Sequence, residues 1–138
     1  TGRNKKIDTL ANCWRALMWL CPADVLPCVF MAINRIASAH EDIELGVGGS
    51  SVSAAVAEVT GAPKQKLSEA YKRLGDLGDV AAEFRCKQRL LVAPRPHTAR
   101  GVYQELLAIA AEAGQGSTGR KHGRLLRLLR STRGAEEL

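Results

Sequence analysis

The residues best suited to chemistry lie between Gly114 and Arg130, GQGSTGRKHGRLLRLLR, where a glycine-rich turn opens into a segment with helical spacing. At about 100° per residue, Arg120, Arg124 and Arg127 fall on one face of that helix, and Leu125, Leu126, Leu128 and Leu129 point away from them. The pattern predicts one face free for a polyanion and one buried. The small residues Gly116, Ser117, Thr118 and Gly119 would place backbone N–H groups and hydroxyls at the positive end of the helix dipole, with Lys121 beside them. That is a setting for a phosphate oxygen.

Charge is distributed to match. The net charge of +6 is uneven: residues 1–84 carry nine Lys/Arg against ten Asp/Glu, whereas residues 85–133 carry eleven against two. Such asymmetry predicts a nucleic-acid or anionic-surface footprint. With only six aromatic residues and none after Tyr103, stacking on single-stranded bases is poorly supplied, and a duplex backbone is the better expectation. Enzymatic chemistry finds no support. His40, His97 and His122 are far apart and lack a neighbouring nucleophile, and Glu41, Asp42 and Glu44 have no EF-hand spacing, so no catalytic residue and no metal site are expected. Gly114, Gly116 and Gly119 match G-x-G-x-x-G but follow a helical pattern where a dinucleotide fingerprint needs a strand. Gly46 to Ser51 lacks the Gly-Lys-Ser/Thr of a Walker loop and reads as an ordinary turn.

Cys13, Cys21, Cys28 and Cys86 show no C-x-x-C pairing. The first three sit in apolar segments, which predicts buried free thiols in a reducing compartment. No run reaches the roughly 18 apolar residues of a membrane span, and no secretory signal pattern opens the chain, so a soluble intracellular protein with no membrane partner is expected.

The elements that must position the phosphate-binding turn are helices. Ile7, Leu10, Ala11, Trp14, Leu17 and Met18 predict a buried stripe on a helix from Lys5 to Leu20, with Arg3, Lys5 and Lys6 at its start. Asp24 is a plausible N-cap for a second helix with Pro27 in its first turn, a stripe of Val25, Leu26, Val29, Ile33 and Ile36, and an end near Ser38. Ser50 or Ser51 should cap a third helix that stops at Gly61, and a fourth should run from Pro63 to Gly75. Asp79 to Phe84 reads as a brief helix. Lys87 to Val92 is the only segment expected to be extended. Thr98 should cap a helix ending at Gly114, the basic helix follows, and Arg133 to Leu138 reads as the start of another. The fold expected is all-α, a multi-helix orthogonal bundle of short helices in a single domain, 1–138.

Several segments, taken in order, resemble one family, the N-terminal DNA-binding domain of eukaryotic replicative ATP-dependent DNA ligase. They are Leu20-Cys21-Pro22-Ala23-Asp24-Val25-Leu26-Pro27, Glu44-Leu45-Gly46-Val47-Gly48, Gly75-Asp76-Leu77-Gly78-Asp79-Val80-Ala81, Gln88-Arg89-Leu90 and Ser117-Thr118-Gly119-Arg120-Lys121. The resemblance covers the chain from about Ile7 to its end. It implies the N-terminal portion of a larger helical domain that lies along the minor groove of nicked duplex DNA, truncated here at its C-terminus. Sealing of nicks in replication and repair would belong to separate adenylation and OB-fold domains that use ATP and Mg2+, with no cofactor in this portion. It further implies a nuclear location, an organellar form being left open, and a contact between the intact ligase and the replication sliding clamp. Carried over by position, Ser117, Thr118, Arg120 and Lys121 match the family's phosphate-contacting turn, and Arg3 and Lys5 match its basic first helix less closely.

An all-α protein-interaction module with a basic face for an acidic partner is the alternative. A helix-turn-helix regulator is disfavoured, because the last helix carries no Asn or Gln to read bases. The chain contains no Lys-x-Asp-Gly segment. Incubated with ATP and magnesium, it should therefore form no lysine-AMP adduct, and a mass increase of one AMP would contradict that expectation.

Overall fold

Prolines, glycines and short polar caps divide the chain into helices of eight to nineteen residues. The computed structural model describes residues 2–84 and 96–132. Among them are α1 (Gly2–Leu20), a 3-10 turn (Pro22–Asp24), α2 (Val25–Ala32), α3 (Gly49–Thr60), α4 (Lys64–Leu74), α5 (Leu77–Phe84), α6 (Ala99–Ala111) and α7 (Ser117–Ser131), and no strand. The all-α expectation holds for these residues.

The boundaries follow from local hydrogen bonding. Thr98 Oγ1 accepts from the Gly101 amide at 3.1 Å and so caps α6, and Asp76 Oδ1 accepts from the amides of Gly78 and Asp79 at 2.7 and 3.0 Å to open α5. Helices α3 and α4 stop at Gly61 and Gly75, whose amides donate back to Ala57 and Tyr71. Five boundaries differ from the sequence reading: α1 starts at Gly2 rather than Lys5, and α5 at Leu77 rather than Asp79. Helix α2 ends at Ala32, because Asn34 turns into the left-handed region and Arg35 donates back to the Phe30 carbonyl; Ile36 and Ala37 are buried in the connection beyond it. The cap of α3 is Gly48, and α6 ends at Ala111, three residues before Gly114.

One apolar cluster, Val56, Leu67, Ala70, Val80 and Ala81, binds α3, α4 and α5, and Leu129 of α7 packs against it. Helix α7 lies against both α3 and α6, and α6 in turn lies against α2. The α2–α6 contact is pinned by the stacked rings of Phe30 and Tyr103, 6.1 Å apart, and by the Tyr103 hydroxyl donating to the Ile36 carbonyl at 2.6 Å. The start of α7 is thus fixed from two sides.

The expected burial of α1 is overturned. No residue of α1 is buried, Ile7, Leu10 and Met18 are more than half exposed, and Trp19 is 86% exposed. The reason is that α1 packs mainly on the 3-10 turn and α2, which leave most of its apolar stripe uncovered. Leu26 of α2 and Ile33 just after it are likewise exposed. The buried-thiol expectation fails with them: Cys13 and Cys21 are exposed and Cys28 is partly buried, with desolvation and then the nearby Asp24 charge raising its pKa. Cys86, the expected extended segment 87–92 and the expected helix start at 133–138 lie outside the described residues. No described helix is long and apolar enough to cross a membrane.

Ile109, 1% exposed on the inner face of α6, is a direct probe of this packing. Ile109→Ala should lower unfolding free energy by about 3 kcal/mol in urea titrations followed by circular dichroism, the cost of a large-to-small change at a closed site.

Candidate nucleic-acid interface

Each of the three nitrogens of the Arg120 guanidinium, which the sequence assigns to a polyanion, makes a hydrogen bond within the α6–α7 turn. Its Nε donates to Glu112 Oε2 at 2.6 Å, its Nη1 to the Gln115 carbonyl at 2.9 Å and its Nη2 to the Ala113 carbonyl at 2.7 Å. Arg120 therefore staples the α6–α7 turn, where Gly114 and Gly116 both adopt positive φ. Arg124 donates from Nε to Glu112 Oε1 at 3.0 Å and more weakly from Nη1 to Glu105 Oε2 at 3.4 Å. The two arginines hold the Glu112 carboxyl below the usual range by their hydrogen bonds, Arg120 most, and Glu112 in return raises Arg124. The expectation of one arginine face free for a polyanion is corrected accordingly: Arg120 and Arg124 are paired across the turn, and Arg127 is exposed with no side-chain partner among the described residues.

Lys121 points elsewhere. Its Nζ donates to the Leu45 carbonyl at 3.1 Å, bringing together two segments 76 residues apart. The approach requires glycine at position 46: its φ is +61°, and a Cβ built there would sit 2.6 Å from Lys121 Nζ. Around this contact lies a cleft of about 480 Å3, lined on one side by Gly46, Val47, Ser50 and Ser51 and on the other by Ser117, Thr118, Gly119 and Lys121. Both walls are helix starts. Helix α3 begins on Gly48 and α7 on Gly116, neither with a side-chain cap, and the amides of Gly49, Ser50, Thr118 and Gly119 have no acceptor among the described residues. The four hydroxyls make no hydrogen bond among those residues either.

Two positive dipole ends, a lysine and unused donors converge on one concavity, which is the electrostatics of an oxyanion site. At its edge His122 Nε2 lies 3.1 Å from Glu58 Oε2, and Arg130 reaches the other oxygen of Glu58 at 3.2 Å, tying α7 to α3. Of the residues singled out from sequence, Gly116, Ser117, Thr118, Gly119 and Lys121 are together at the start of α7; Arg127 lies on its outer face; Arg3 and Lys5 are exposed on α1, which does not pack against α3 or α7. The sequence predicts the helix start at Ser50 or Ser51 but not that Gly46–Ser51 lies against the start of α7. Glu112 was missed too. Among the described residues no group of three or more His, Cys, Asp or Glu is gathered that could hold a metal ion.

The cleft of about 480 Å3 between two helix starts is a candidate site for an anion, and comparison supplies the family. The sequence model described as "DNA ligase N terminus" matches residues 1–138. The chain is 43% identical over 135 residues to DNA ligase 6 of Arabidopsis thaliana, covering 98% of this chain and 10% of that protein. It is 38% identical over 114 residues to DNA ligase 1 of Drosophila melanogaster (83% and 15%) and 35% identical over 138 residues to DNA ligase 1 of Arabidopsis thaliana (100% and 18%). This chain belongs to the DNA ligase N-terminus family, and it spans 10% to 18% of the length of these relatives.

The ionised Glu112 fork has a pH signature. A depressed carboxyl pKa contributes stability that is complete above the ordinary glutamate range and is lost as pH falls through the lowered value. The difference in thermal midpoint between wild type and Glu112→Gln should therefore shrink as pH is taken from about 7 to about 3, whereas a constant gap would contradict this role of the carboxylate.

Proposed function

We propose that this chain is a non-catalytic, sequence-independent duplex-DNA-binding part of a nick-sealing ATP-dependent ligase. Family membership ties it to DNA ligases, and the observation that carries the binding mode is the cleft in which the starts of α3 and α7 meet around Lys121. A phosphodiester offers charged oxygens to amides, hydroxyls and an ammonium without presenting a base edge, so such a site grips backbone and is indifferent to sequence. Arg127 extends the basic surface along α7. In the intact ligase this part would lie along the minor groove of the duplex, with sealing, ATP and Mg2+ left to other domains; these points, the nuclear location and a sliding-clamp contact rest on the family resemblance alone.

Fluorescence anisotropy with duplexes of unrelated sequence tests it. Affinities should be similar across sequences, and two or three neutralised phosphates give a log–log salt slope of about −2 to −3. Lys121→Gln should flatten the slope by about 0.9, whereas Lys64→Gln on α4 should leave it unchanged. Binding confined to one sequence, or tighter binding to an acidic polypeptide than to duplex, would overturn the reading.

A further inference from the structure

We infer that Glu112, an acidic residue in the basic third of the chain, is a positioning residue for DNA binding, acting through Arg120 on the start of α7. The inference rests on the DNA-binding reading above. An acid beside a polyanion site should oppose binding by charge alone, and its neighbours here would make the effect larger, because it pairs two arginines at once. Geometry gives it the opposite role. Glu112 is the residue immediately after α6, and its carboxylate holds Arg120 Nε so that the other two nitrogens reach the carbonyls of Ala113 and Gln115, on either side of Gly114. The turn 112–116 is thereby closed over a single guanidinium. Gly116, the last residue of that turn, caps α7, and an added Cβ there would lie 3.4 Å from Arg120 Nη1, so the guanidinium packs on the cap itself.

What the staple sets is the position of Ser117, Thr118 and Lys121 opposite Gly46 and Ser50. A lysine planar fork is not available, so only arginine can bond a carboxylate and two carbonyls in one plane. Arg120 and Glu112 then belong to one unit, and loss of either loosens the same wall of the cleft. Their charges are opposite; their effect on binding is the same.

The test is anisotropy of this chain on a duplex across a salt series, for wild type, Glu112→Gln, Arg120→Gln, the double variant and Arg120→Lys. Both single variants should weaken binding about two- to tenfold, the lower part of the range for residues coupled through one network, although one raises and the other lowers net charge. The double variant should be no weaker than the worse single one, Arg120→Lys should weaken binding despite keeping its charge, and the salt slope should stay that of wild type, because neither side chain neutralises a phosphate. Tighter binding with a steeper slope in Glu112→Gln would overturn the inference and show that Glu112 masks arginines. Weakening in Arg120→Gln with full affinity in Arg120→Lys would overturn it in favour of a direct charge contact. Should Glu112→Gln lose helical circular dichroism, Arg120→Lys decides alone, unchanged affinity counting against the staple. A wild-type chain that binds no duplex would instead refute the proposed function, and the inference with it.

Discussion

The packing of α7 against both α3 and α6 is the constraint on which the candidate site depends. Leu126 is buried and Leu129 rests on the cluster shared by α3, α4 and α5, while Glu112 and Glu105 of the α6 side hold Arg120 and Arg124. Apolar burial fixes which face of α7 turns inward, since it is non-directional and large. The charged fork then selects the rotation and the turn geometry at the N-terminal end, where burial is slight. Lys121 on the Leu45 carbonyl and Arg130 on Glu58 then join α7 to the α3 side.

Positive charge in this chain consequently has two uses. Arg120, Arg124 and Arg130 serve internal pairing with Glu112, Glu105 and Glu58, and are exposed enough that each such pair adds little to stability by itself. Their value is geometric. Among the described residues of α7, Lys121 and Arg127 are outside those pairs, and the two helix starts beside Lys121 add the partial charge of backbone amides, which bear no formal charge. Counting Lys and Arg overstates how many side chains can reach a phosphate.

Helix order and type were legible because proline, glycine and capping residues mark boundaries locally: Thr98 and Gly61 and Gly75 do in the structure what their chemistry implies. The start of α7 was legible for the same reason. Burial of α1 was not, because Ile7, Leu10 and Met18 declare an apolar face but not what covers it. The pairing of Arg120 with Glu112 and the contact of Lys121 with Leu45 were hidden differently. Both are choices of partner made by tertiary packing, and a periodicity argument that places arginines on one face is silent about a carboxylate on the neighbouring helix. The family resemblance includes both Glu44–Gly48 and Ser117–Lys121, yet nothing in the residues places the two segments side by side.

The most direct measurement is a nitrogen–proton correlation spectrum of the chain titrated with a short duplex. If the cleft is the phosphate site, the amides of Gly49 and Ser50 and those of Thr118 and Gly119 should shift together, along one binding isotherm, for duplexes of unrelated sequence. Shifts confined to α1 or α4, or to the start of α7 without that of α3, would contradict it.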